Sequence, residues 1–199
     1  MDKITSDKIV ARLEEQYPAA ECALRYEGDP WRLLVMAVLS AQCTDQRVNM
    51  ISGELFKRFP NAASMSAAET EEIELYIKSC GLYHAKAVNL KALSGIIIER
   101  FNGIVPDNID DLLILPGVGR KIANLIIGDV YNKPAVVCDT HCIRLAGRLG
   151  YCEESERNAL RVERALSAII PPQKQSDFCH RLVLFGRECC NARAQKCTL

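Results

Sequence analysis

The chain has 199 residues and is 49% hydrophobic, enough for one domain or two small ones with a proper core. Lys plus Arg and Asp plus Glu each number 25, which excludes a strongly basic nucleic-acid binder and leaves any phosphate-binding surface to be local. Ten cysteines are too few for a disulfide-stapled secreted scaffold, and 11 Gly with 8 Pro are too few for a disordered or linker-dominated chain.

The N-terminus Met1-Asp2-Lys3-Ile4 is charged and runs into Glu14-Glu15-Gln16, with neither the apolar core of a signal peptide nor an Arg-rich transit sequence. The cysteines are therefore expected to be reduced thiols or metal ligands. The longest apolar stretches, Leu33 to Leu39 and Leu112 to Pro116, fall short of the ~20 residues that a bilayer demands. A cytoplasmic protein without membrane contact is expected.

Helical signals follow one another along the chain. Asp29-Pro30 is a cap with a helix-opening proline, and Trp31 to Ala41 contains no breaker. Thr44-Asp45 can start a second helix reaching Phe59, with Val48, Ile51, Leu55 and Phe56 on one apolar face. From His84 to Phe101, Leu90, Leu93, Ile97 and Phe101 keep helical spacing, and Asn102-Gly103 stops the run. From Lys121 onward Ile122, Leu125, Ile126 and Val130 repeat that spacing. Thr140 can cap a helix reaching Leu149-Gly150. Glu154 to Ile170 reads as another helix, ended by Pro171-Pro172, and the last runs from about Ser176 to Arg187. Ala135-Val136-Val137 is too short to be a convincing strand and reads as an extended connector. The fold class is all-α, with no internal repeat.

The segment Leu115-Pro116-Gly117-Val118-Gly119-Arg120-Lys121 places a tight Gly-x-Gly hairpin between a short helix and a longer one. Both glycines are expected to take backbone conformations barred to larger residues and to admit a close ligand. The start of the following helix then presents unpaired amides with the positive end of its dipole behind them, a seat for phosphate. Gly-x-Gly alone is equally a plain helix-to-helix turn. Eighteen residues beyond Lys121, the apolar approach Val136-Val137-Cys138 ends in Asp139 just before a helix start; capping that helix is its simplest role, unless Thr140 does so instead.

The string Leu-Pro-Gly-Val-Gly-Arg-Lys resembles the helix-hairpin-helix element of the DNA-repair glycosylase superfamily, in which the hairpin holds the duplex backbone without reading sequence. Lys121 with Asp139 is similar to the catalytic pair of the endonuclease III family. Leu39-Ser40-Ala41-Gln42-Cys43-Thr44-Asp45, Gly81-Leu82-Tyr83-His84-Ala85-Lys86-Ala87 and Gly186-Arg187 resemble that family's landmarks in order, across essentially the whole chain. The resemblance implies two helical lobes, residues 23–133 and residues 1–22 with 134–199, and an active-site cleft between them.

It also implies roles. A damaged base inside a duplex must be turned out of the stack before its glycosidic bond is cut, and the vacated hole must be filled. Gln42 and Leu82 stand where the family's filling side chains stand; without the resemblance they would read as a surface amide and a core leucine. Leu115, Gly117, Val118, Gly119 and Arg120 with His141, Arg187 and Arg193 are the further implied DNA contacts. Lys121 would attack the sugar C1′ as a neutral amine, give a Schiff base and permit β-elimination of the 3′ phosphate. Partial burial and the neighbouring Arg120 are the expected means of neutralising it. Asp139 would stabilise the cationic sugar. Adenine-removing relatives lack the lysine, so a bifunctional glycosylase and AP lyase for oxidised pyrimidines is expected, acting as a monomer on damaged double-stranded DNA. A monofunctional glycosylase for other bases and a non-enzymatic DNA-binding module are the alternatives.

Cys190 and Cys197 match the first two positions of the family's iron-sulfur pattern, C-x6-C-x2-C-x5-C, and the sequence given reaches Leu199. The resemblance implies a [4Fe-4S] cluster, which takes four thiolates. A chain cut before the third ligand, a relative without the cluster, and a substitute zinc site from Cys179, His180, Cys189 and Cys190 all stay open. Arg187, Arg193 and Lys196 give this tail positive charge. Cys22, Cys43, Cys80, Cys138, Cys142 and Cys152 fall among apolar residues and are expected to be buried small hydrophobes.

Overall fold

The structure is a computed structural model and describes residues 1–193; Cys197 and Lys196 lie outside the described residues. The α-helices in chain order are α1 (Lys3–Gln16), α2 (Pro30–Leu39), α3 (Asp45–Arg58), α4 (Ala62–Ser66), α5 (Thr70–Ile77), α6 (Tyr83–Phe101), α7 (Ile109–Leu113), α8 (Arg120–Asp129), α9 (Thr140–Arg148), α10 (Ala159–Ile169) and α11 (Gln175–Glu188). Among the described residues there is no β-strand, and residues 135–137 form a buried extended connector. No helix among them is long and apolar enough to cross a membrane.

The chain divides into two compact units. The first is Ala23–Val130, organised around α2. The Asp29 carboxylate accepts from the amides of Trp31 and Arg32, and Pro30 opens the helix. Eight of its ten residues are buried, so this helix is apolar all round and packs against α3, α6 and α8. The long helix α6 covers α4 and α5, placing Leu90, Leu93 and Ile97 in the core as their spacing predicts. α7 lies against α8.

The second unit joins Met1–Cys22 to the chain from Tyr131 onward. Here α11 packs on α1 and α9, and α10 on α9. Phe178, Leu182 and Phe185 of α11 are buried with Cys142, Leu145 and Ala146 of α9. Tyr151 meets the Phe178 ring edge to face at 5.7 Å, and its hydroxyl lies 3.2 Å from the Ser6 hydroxyl on α1. The approach of α11 to α9 leaves no room at Gly186, where a Cβ would come within 2.6 Å of His141 Nδ1.

Two boundaries differ from the sequence reading. α10 begins at Ala159 rather than Glu154. Glu156 accepts from the amides of Arg157 and Asn158, and Asn158 caps the helix by accepting from Arg161, so these side-chain bonds hold residues before Ala159 out of the helix. α9 is capped by Asp139, not Thr140: the Asp139 carboxylate accepts from the Cys142 amide at 2.7 Å.

Candidate active site and nucleic-acid interface

Between α7 and α8 the chain turns within a few residues. The Val118 amide donates to the Leu115 carbonyl at 3.0 Å, Pro116 follows Leu115, and Gly117 has φ +80°, the pattern of a type II turn. Gly117 needs to be glycine twice over, because a Cβ there would also lie 3.1 Å from Asn89 Nδ2. Gly119 does not behave as expected. Its φ of −94° is accessible to any residue and open space surrounds it. It is the N-cap of α8 and brings no side-chain acceptor, so α8 opens without a side-chain cap. Leu115 and Val118 bury their side chains, leaving only their backbone to meet a ligand.

Arg120 and Lys121 are the first two residues of α8, and both are exposed. The expected partial burial of Lys121 is therefore absent: its place in the first turn, beyond the hairpin, holds it clear of the core.

Gln42 and Leu82 lie in two loops of the same unit that touch. Gly81 passes so close to the first loop that a Cβ on it would be 3.2 Å from the Gln42 carbonyl oxygen. Both residues are exposed, Leu82 by 59% despite its apolar side chain, and both have left-handed backbones, with φ 53° and 59°. Such conformations are unusual for Gln and outlying for Leu, and strain of this kind collects at functional sites. Leu82 is thus not a core leucine. Sequence patterning carries no signal for either φ, which is set by the packing of one loop on the other.

Lys86 holds this region from below. Buried to 4% exposure, its ammonium donates to the Leu39 carbonyl at the C-terminal end of α2 at 2.8 Å, a charge-assisted bond favoured by the helix dipole. Burial lowers its pKa, opposed by the nearby thiols of Cys80 and Cys43. Cys80 is pushed up to about 11, first by burial and then by its hydrogen bond with Cys43.

In the second unit Asp139 is half-buried at the N-cap of α9, one carboxylate oxygen fixed by the Cys142 amide. Beneath it the thiols of Cys138, Cys142 and Cys179 are in contact, and Cys142 is raised well above the ordinary thiol range by hydrogen bonds to the other two and by burial. His141 is half-buried, with Nδ1 3.2 Å from an Arg144 nitrogen that also donates to the carbonyls of Gly186 and Cys190. Arg187 and Arg193 are exposed. Cys22, Cys43 and Cys152 are half-buried rather than buried, because each lies at a helix end or loop, whereas Cys80, Cys138 and Cys142 are in the core as expected.

Residues 35–172 match the family described as HhH-GPD superfamily base excision DNA repair protein. Endonuclease III of Bacillus subtilis (strain 168) is 40% identical over 186 residues, which cover 94% of this chain and 84% of that protein. The chain belongs to the endonuclease III family. Endonuclease III of Escherichia coli (strain K12) is 35% identical over 197 residues, 99% of this chain and 92% of that one. Two solved structures align over their length: a trapped endonuclease III–DNA covalent intermediate, an estranged-adenine complex, with TM-score 0.93 and 38% identity over 100% of this chain and 94% of that chain, and a non-covalent endonuclease III–DNA complex, with TM-score 0.92 and 38% identity over 99% and 91%. Membership of the endonuclease III family makes the chain a base excision repair DNA glycosylase and AP lyase.

The family also implies an iron-sulfur cluster, and of its expected ligands Cys190 alone lies among the described residues. Cys190 is buried, and its Sγ accepts from the Arg148 guanidinium at 3.3 Å; the same guanidinium holds the Asn191 and Ala192 carbonyls. Cys197 lies outside the described residues. No group of three or more His, Cys, Asp or Glu able to hold a metal ion occurs among the described residues. The substitute set of Cys179, His180, Cys189 and Cys190 does not assemble either: Cys179 meets Cys142, and Cys189 meets the Tyr17 hydroxyl at 3.8 Å and Gln16 at 3.9 Å.

Proposed function

We propose that this endonuclease III family member removes oxidised pyrimidines from double-stranded DNA and nicks the strand, with Lys121 as nucleophile and Asp139 as the charge-stabilising carboxylate. The observation that carries the reading is the exposed Lys121 amine in the first turn of a helix that follows the hairpin and opens without a side-chain cap. Phosphate oxygens on that helix's opening amides would set the position of the backbone without reading bases.

In the first step the Lys121 nitrogen bonds to C1′ and the glycosidic C–N bond breaks, the electron pair leaving with the base. The Asp139 carboxylate stabilises the positive charge that develops on the sugar. The ring then opens to a Schiff base, which permits loss of the 3′ phosphate by β-elimination. Gln42 and Leu82 fill the space left by the everted nucleotide; the strain in both backbones supports a binding role rather than a packing one. The backbone of Leu115, Gly117, Val118 and Gly119, and the side chains of Arg120, His141, Arg187 and Arg193, complete the proposed DNA contacts. The protein acts as a cytoplasmic monomer.

Borohydride trapping on DNA carrying an abasic site tests the assignment. The wild type gives a covalent adduct, Lys121→Ala gives none, and Asp139→Asn releases little base from oxidised-pyrimidine DNA. An adduct formed by Lys121→Ala identifies another amine as the nucleophile, and activity confined to alkylated purines refutes the substrate class.

A further inference from the structure

The loops carrying Gln42 and Leu82 each carry a cysteine next to or near the exposed residue, Cys43 and Cys80, and neither is in a disulfide. Their backbones are anchored independently, Cys43 donating to the Ser40 carbonyl at 3.1 Å and Cys80 to the Ile77 carbonyl at 2.8 Å. The two loops meet at Gly81 and Gln42, the chain neighbours of Cys80 and Cys43, which brings the two cysteines to one junction. Cys43 is half-buried and reachable from solvent, whereas Cys80 is 1% exposed. A pair with one accessible and one shielded sulfur at the same junction has the arrangement of an attacking and a resolving thiol.

We propose that Cys43 and Cys80 form a reversible disulfide with hydroperoxides, tying together the loops that carry Gln42 and Leu82 and lowering affinity for damaged DNA. The second half rests on the DNA-binding role given above to those two residues. The Cys43 thiolate attacks a peroxide oxygen; the O–O bond breaks, leaving a sulfenic acid on Cys43 and, with hydrogen peroxide as oxidant, hydroxide that takes up a proton to become water. The Cys80 sulfur then attacks the Cys43 sulfur, the S–O bond breaks, and a second water leaves with the proton of Cys80. Two thiols are oxidised by two electrons in all, and one peroxide is reduced to two waters. Burial holds Cys80 protonated, which assigns the first attack to Cys43. Lys86 and Arg47 are the cations that favour the Cys80 thiolate as it reacts, while Leu39 keeps the Lys86 ammonium in place.

Closing the bond has a mechanical consequence. A disulfide holds its two Cβ atoms about 3.5–4.5 Å apart, so closing it fixes the spacing of the two loops. The Gly81 backbone already lies against the Gln42 carbonyl, and the adjoining Gln42 and Leu82 backbones are the strained ones, so the adjustment is taken up by re-aiming these two side chains.

The test uses the full chain, reduced and then treated with hydrogen peroxide. Mass mapping without reductant is expected to find a Cys43–Cys80 linked peptide with the loss of two thiols. Binding to a duplex with a tetrahydrofuran abasic analogue is expected to weaken at least tenfold and to recover with dithiothreitol. In Cys80→Ser, dimedone captures a sulfenic acid at Cys43; Cys43→Ala, at a half-buried position, keeps its affinity under peroxide. Peroxide that consumes Cys43 without a linked peptide, or a linked protein that binds as tightly as the reduced one, overturns the proposal. Bound duplex is expected to slow the oxidation severalfold; a crosslink that forms equally fast on DNA leaves the thiol pair intact and refutes the DNA-binding role of the loops.

Discussion

Asp139 caps α9 in this structure and is proposed to serve catalysis, and a pair of substitutions tells the two duties apart. Its carboxylate accepts from the Cys142 amide at 2.7 Å and so caps α9. Replacement by Ala deletes the cap and leaves a donor unsatisfied, for a cost of about 1 kcal/mol within a range of roughly 0.5–2. In a chain of 199 residues that corresponds to a fall in Tm of about 2–4 °C per kcal/mol. Asn caps as well as Asp, and loses only the interaction of charge with the helix dipole, about 0.3–1 kcal/mol. Both variants remove the negative charge proposed to face the sugar cation, worth about 10²–10³-fold in base release. Urea denaturation and single-turnover base release on the same preparations are therefore expected to disagree: near-native stability for Asp139→Asn, a clear loss for Asp139→Ala, and equally poor catalysis by both. Asp139→Asn with wild-type base release would reduce the residue to a cap. Equal destabilisation by both substitutions would refute the capping geometry.

Gly147→Ala and Gly53→Ala are expected to differ in sign. At Gly147 a Cβ would lie 2.8 Å from the Glu154 Cα, a backbone atom that cannot step aside, so overpacking of about 1–3 kcal/mol exceeds the gain in helix propensity; at Gly53 nothing lies within 4 Å and thermal denaturation should show stabilisation of about 0.5–1 kcal/mol. Lys86→Met removes the bond to the Leu39 carbonyl and is expected to destabilise by about 1–3 kcal/mol in urea titration; an unchanged midpoint would refute the tie between α6 and α2. Because the Cys80 thiol ionises near pH 9 when unfolded and at about 11 when folded, the unfolded state loses its proton first. Stability is then expected to fall as pH rises from 9 to 11 in the wild type, and to fall less in Cys80→Ala.

Much of the architecture was legible because local chemistry and tertiary packing agree. Asp29-Pro30 opens α2, the spacing of Leu90, Leu93 and Ile97 buries one face of α6, and Pro116-Gly117 makes the turn of the hairpin. The short helices α4 and α5 had no period long enough to announce them. α10 started late because the Glu156 and Asn158 side chains compete for backbone amides against the helical propensity of the residues between. At the candidate site it was the resemblance to the endonuclease III family that pointed to Lys121, Asp139, Gln42 and Leu82. The exposure of Lys121, the strain at Gln42 and Leu82, and the meeting of Cys43 with Cys80 were out of reach, because each depends on one segment lying against another distant in sequence.

The order in which the chain leaves the ribosome follows from the composition of the second unit. α1 is made before Ala23–Val130, whereas the helix it packs on, α11, and its Ser6 partner Tyr151 are made after that unit. While Ala23–Val130 can already collapse around α2, the Val10 and Leu13 face of α1 waits until α11 has been made. Until then that face is open to chaperones, and a ribosome stalled after α10 would release a product in which α1 lacks α11.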